Sequence, residues 1–117
     1  MGDYTMLFRT FILAALLIVT FTAHAADITG SVKDDSNRPA GGAQVFIKCP
    51  DREKPSEGTT NKYGRYRITG LPNTTWCEIW VFYDSKMSNH ARINTGSDSK
   101  DINLRLQRSG KNWTLNL

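Results

Sequence analysis

Histidine and cysteine are scarce in this 117-residue chain, two of each. His24 stands between two alanines near the N-terminus, which leaves His90 as the one imidazole in the rest of the sequence. Zinc sites draw three or four ligands mostly from His and Cys, and that supply is missing. Acid–base chemistry through histidine rests on His90 alone, in a polar stretch that reads as solvated loop. A Ser/His/Asp set can be drawn from Ser88, His90 and Asp84, but no nucleophile-elbow pattern surrounds the serine. A glycine-rich phosphate cradle is also missing. So is a clustered Lys/Arg run of the kind nucleic acid calls for. Asp34-Asp35-Ser36-Asn37 and Asp98-Ser99-Lys100-Asp101 carry oxygen donors without the ligand order of a calcium loop, and read as Asx turns. These absences point away from an enzyme and from any metal or cofactor.

What is present begins with an export signal. Phe11 to Phe21 is almost wholly apolar, follows Arg9 and leads to Ala23-His24-Ala25, a small-residue cleavage site. Basic residue, short apolar core and A-x-A site together describe a secretory signal over residues 1–25. The run is short of the roughly 20 residues that cross a membrane, and no stop-transfer cluster follows. Met6 offers an alternative start with a cleaner basic region. Cleavage after Ala25 leaves 92 residues, 26–117, enough for one small domain. It removes one acidic and one basic side chain, so the net charge stays at +4. The expected address is periplasmic or extracellular, with no membrane span in the mature chain.

Export gives the two cysteines a meaning. Cys49 and Cys77 both lie in the mature part, and oxidising compartments convert such a pair to a disulfide. A metal pair would need more ligands, and a redox pair favours C-x-x-C spacing.

The mature sequence alternates with period two. Ile28, Gly30 and Val32 alternate with Thr29, Ser31 and Lys33. Ala43, Val45, Ile47 and Cys49 alternate with Gln44, Phe46 and Lys48. Further along, Tyr66 and Ile68, then Ile102, Leu104 and Leu106, repeat the pattern. Such alternation marks half-buried antiparallel strands. Turn chemistry separates the runs, and Cys49 through Gly58 reads as a charged loop. The expectation is an all-β domain with seven strands near 27–33, 43–49, 65–69, 75–83, 90–95, 101–107 and 112–116, arranged as a β-sandwich.

A family resemblance follows from the order of short elements. Gly30-x-Val32-x-Asp34 precedes Pro39, then Gly42-Ala43-x-Val45-x-Ile47, then Thr59-Thr60-x-x-x-Gly64-x-Tyr66-x-Ile68, then Gly70-Leu71-Pro72. This order resembles the carboxypeptidase regulatory-like domain, a transthyretin-like sandwich similar to the B-type repeats of bacterial surface adhesins. The resemblance implies a seven-stranded Greek-key sandwich and a non-enzymatic accessory role. Adhesin repeats often carry a Lys–Asn or Lys–Asp isopeptide bond. Here Lys33 falls near the lysine, but Trp80 aligns with the acid, so the crosslink is not expected.

One strand is unusual. Between Thr75 and Tyr83, the residues Cys77, Ile79, Val81 and Tyr83 share one face, and Trp76, Glu78, Trp80 and Phe82 the other. Placing Cys77 in the core turns two tryptophans and a phenylalanine outward. Phe46 and Lys48 are expected beside them, with Arg65 and Arg67 further along. Either the C-terminal segment with Trp113 and Leu115 folds over this face, or it stays open as a binding surface. Arg65, Arg67 and Glu78 also suit cross-strand charge pairs. The leading functional reading is an exported interaction module that meets a partner protein in the envelope or outside the cell. The alternative is a carbohydrate-binding module using Trp76, Trp80 and Tyr63.

Overall fold

The computed structural model describes residues 25–117. The expected signal segment lies outside these residues except for Ala25. The described chain is all strand and turn: β1 (Ala26–Lys33), β2 (Gln44–Lys48), β3 (Ser56–Thr59), β4 (Arg65–Leu71), β5 (Trp76–Tyr83), β6 (Lys86–Met87), β7 (Ala91–Asn94), β8 (Ser99–Asp101), β9 (Leu104–Ser109) and β10 (Asn112–Asn116). They form two sheets. One runs β10-β9-β1-β4, with β8 also on β1; the other runs β3-β2-β5-β6, with β7 also on β5.

The alternation explains the layering. Ile28, Val32, Ile68, Leu104 and Leu106 on the first sheet, and Val45, Ile47, Ile79 and Val81 on the second, are all buried. Each strand turns its odd or even set inward, so two half-apolar sheets share one core. Ten strands stand where seven were expected, and the reason is physical. β3 lies in the segment read as a charged loop. Its inward positions are Ser56 and Gly58, and a Cβ at residue 58 would come within 2.9 Å of the Arg67 carbonyl. The approach of β4 leaves no room for an apolar signature there. β6 and β8 are two and three residues long and bury little, so they carry no alternation either.

A second departure is parallel pairing. β1 pairs antiparallel with β4 but parallel with both β8 and β9. The chain runs along β1 twice, at residues 27–29 and again at 32–33, and steps across at Ile102 and Asn103. At the step, Ile102 N–H donates to the Thr29 carbonyl at 2.7 Å. The Asn103 side-chain oxygen accepts from Ser31 N and Oγ, each at 3.1 Å. These bonds satisfy backbone that the interrupted ladder would otherwise leave unpaired.

The inner side of the step is closed by Tyr66. Its hydroxyl donates to the Ile102 carbonyl at 2.6 Å, and its ring is buried opposite Gly30. Burial, with the Asp101 carboxylate adding, pushes the phenol well above its ordinary value, and Arg65 opposes the rise. The fold therefore favours the protonated phenol. That contribution is complete below about pH 10, where the phenol of the unfolded chain titrates, and is lost as pH rises toward the folded value. We expect the urea midpoint to fall between pH 9 and 11 more steeply in the native protein than in Tyr66→Phe. The phenylalanine variant should lose about 1 kcal/mol at neutral pH. Parallel pH profiles for the two proteins would refute this.

Candidate aromatic binding face

The outer face of the β3-β2-β5-β7 sheet collects the aromatics. In the β2–β5 ladder Phe46 lies opposite Trp80, Gln44 opposite Phe82 and Lys48 opposite Glu78. The rings of Phe46 and Trp80 stack at 5.5 Å between centroids, 15° from parallel. His90 stacks on Trp80 at 4.1 Å and 11°. Three flat rings thus lie in a row across the sheet, with Trp80 stacked on both neighbours. The His90 Nδ1 also meets the Glu78 carboxylate at 3.0 Å. His90 is exposed and lies outside the strands, as expected from its polar neighbours, but its ring is held by Trp80 and Glu78. The pairing of β5 with β7 places Ile79 opposite Ala91, so Trp80 and His90 meet one step on. The sequence holds no signal for this, because β5 pairs first with β6 and then with β7, and the switch point shows only in three dimensions.

At either end of this row stand more exposed groups. Phe82 and Met87 are cross-strand partners, exposed to 37% and 42%. The β5–β6 hairpin that sets them together turns through Asp84 and Ser85, both at positive φ, as a two-residue hairpin turn requires. At the other end Trp76 is 56% exposed, and the Arg92 guanidinium lies 5.2 Å from its ring centroid. Beside Trp76 an open cleft of about 280 Å³ is lined by Lys48, Pro50, Glu78 and Arg92, with the cysteines at its floor.

Cys49 and Cys77 are disulfide-bonded, 4.4 Å apart at Cα. They continue the β2–β5 ladder one step past Lys48 and Glu78. The bond thus joins neighbouring strands of one sheet, and holds the sheet together beneath the cleft.

The remaining candidates go elsewhere. Arg65 and Arg67 lie on β4, in the other sheet, and do not join the aromatics. Arg67 pairs with Asp27 at 3.1 Å and Arg65 with Asp101 at 3.9 Å, so both serve as cross-strand charge pairs. Tyr63 sits in the turn before β4, 66% exposed, with Lys62 over its ring. It lies in the turn between β3 and β4 and not on β5, which carries Trp76 and Trp80. The C-terminal segment does not fold over the aromatic face. β10 pairs with β9 in the opposite sheet, where Trp113 and Leu115 are buried in the shared core. The Trp113 indole donates to the Tyr83 carbonyl at 2.8 Å. Asp34 spends its carboxylate on the backbone N–H groups of Ser36 and Arg38, each at 2.9 Å, which makes it an Asx turn. Among the described residues no group of three or more His, Cys, Asp or Glu could hold a metal ion, and no helix is long and apolar enough to cross a membrane.

Two sheets over one core, an outward aromatic face and a stapled ladder define a small β-sandwich domain. The chain belongs to the carboxypeptidase regulatory-like domain family, whose model matches residues 27–107. No curated protein sequence matches it. Among solved structures it is similar to a 9R-lipoxygenase from Cyanothece PCC8801, at 18% identity and TM-score 0.46, over 86% of this chain and 20% of that one. It is also similar to catechol 1,2-dioxygenase from Acinetobacter sp. ADP1, at 10% identity and TM-score 0.49, over 83% of this chain and 52% of that one. The chain thus spans about a fifth and about half of these two proteins.

Proposed function

We propose that the chain is exported and works as a non-catalytic docking module, holding a partner protein against the outer face of β2, β5 and β6. The observation that carries this reading is the pair of exposed side chains Phe82 and Met87 beside the half-buried Phe46–Trp80 stack and His90. Stacked rings are rigid, so little side-chain entropy remains to be lost on contact, and aromatic and methionine side chains are enriched where proteins meet. The disulfide fits an oxidising compartment, and β1 starts at Ala26, directly after the expected cleavage site. A regulatory-like family supports an accessory role without chemistry of its own.

The test is site-specific photo-crosslinking in producing cells. A photoreactive side chain at Phe82 should give a discrete heavier adduct, whereas one at Gln107, exposed on the opposite sheet, should give none. Equal adducts from both positions, or none from Phe82, would sink the docking reading. The mass of the recovered protein tests export, since the mature chain should begin at Ala26.

A second reading, binding of a carbohydrate, is favoured by one specific observation. Trp76 presents an open indole at the far end of the face, with a cation beside it and a cleft next to it.

A further inference from the structure

We propose that the cleft between Trp76 and Arg92 binds an acidic sugar, with the indole under the pyranose ring and the Arg92 guanidinium on its carboxylate. This inference rests on the carbohydrate reading of Trp76 and adds the charge of the ligand.

Three charged groups line the cleft: Lys48, Glu78 and Arg92. Lys48 is already committed, because its ammonium donates to the Cys49 carbonyl at 2.9 Å and to the Arg52 carbonyl. Glu78, opposite Arg92 in the β5–β7 ladder, turns its carboxylate to His90 instead. Arg92 is left with no carboxylate at ion-pair distance among the described residues, and its guanidinium lies over the Trp76 ring. By contrast, Arg65, Arg67 and Arg108 each have an aspartate partner. An exposed guanidinium placed over an aromatic ring, with its donors unclaimed by acid, is set to bind a planar carboxylate through paired hydrogen bonds.

The indole supplies the second half of the recognition. Its apolar surface suits the C–H face of a pyranose, and the guanidinium lies 5.2 Å from the ring centroid, within the span of one sugar residue. A cleft of about 280 Å³ is just below the range of ligand sites, which run from roughly 300 to 1,000 Å³, and suits one sugar residue. It is open to solvent, so a residue within a polymer can reach it. The net charge of +4 adds long-range attraction for an acidic polymer.

Titration of tryptophan fluorescence with polygalacturonate, alginate and fully methyl-esterified polygalacturonate tests this. At least one polyuronate should bind about tenfold more tightly than the esterified polymer, the gain expected of a charge-assisted contact. Arg92→Gln should remove that tenfold preference, and Trp76→Ala should abolish binding to all three. Both side chains are exposed, so unchanged thermal melts will confirm that the variants fold. Arg105→Gln, on the opposite sheet, should leave affinity unchanged. If all three polymers bind equally and Arg92→Gln changes nothing, the acidic-sugar inference fails while the carbohydrate reading stands. If none binds, both fail. If Arg105→Gln weakens binding as much as Arg92→Gln, attraction is diffuse and no acid-specific site exists.

Discussion

Replacing Gly30 by alanine is expected to cost about 4 kcal/mol or more, at the upper end of what single substitutions do. A Cβ at residue 30 would lie 1.8 Å from the Ile102 carbonyl oxygen and 2.6 Å from its carbon. Ordinary C···O contacts are about 3.3 Å or longer, so one of the two strands must move by more than an ångström. The neighbour is backbone, not the end of a flexible side chain. It is also held from two sides, by Ile102 N–H on the Thr29 carbonyl and by the Tyr66 hydroxyl on the Ile102 carbonyl. Relief of the clash therefore breaks the hydrogen bonds that seat β8 and β9 on β1. A domain of this size has roughly 5–14 kcal/mol to lose. Its melting temperature should drop by about 15 °C or more, at roughly 4–8 °C per kcal/mol. Gly70→Ala serves as the comparison. Its positive φ is strained for alanine, but nothing lies within 4 Å of the added carbon. That variant should lose only about 1 kcal/mol. Calorimetry showing equal, small losses for the two would overturn the account of the strand crossing.

Loss of the disulfide is expected to cost roughly 3–4 kcal/mol, by the chain-entropy relation for a loop of this length. Cys49 and Cys77 are separated by 28 positions. The loop they close contains β3 of one sheet and β4 of the other. The crosslink thus limits the unfolded chain in a segment that must reach both layers. In the folded state it continues the β2–β5 ladder, so removing it leaves the rest of the pairing intact. The Cys49→Ala/Cys77→Ala variant should therefore retain the fold and unfold at lower denaturant. A reducing agent should shift the native protein to the same midpoint and leave the variant where it is. Identical midpoints with and without reductant would refute the role of the bond.

How much of this was legible from residues differs between elements. β1, β2, β4, β5 and β9 each bury alternate apolar side chains, and alternation marks them. β3, β6 and β8 were hidden because they are two to four residues long and bury no apolar side chain. The aromatic side of β5 was readable once Cys77 was assigned to the core. Its surroundings were not. Arg65 and Arg67 follow the same alternation as the aromatics, and nothing in period two says which sheet a strand joins. His90 was passed over because its partners, Trp80 and Glu78, are ten and twelve positions away on another strand.

Local chemistry alone was enough for the all-β character, the inward and outward faces of the main strands, the family and the cysteine pairing, since each depends on residue type and short spacing. The tertiary structure decided the rest. It placed the C-terminal strand in the opposite sheet, so the aromatic face stays open. It carried the chain twice along β1, which makes Gly30 obligatory. It gave Glu78 to His90 and so left Arg92 beside Trp76 without an acid. Those outcomes depend on which edges of two sheets meet, a choice made by long-range packing that no window of neighbouring residues contains.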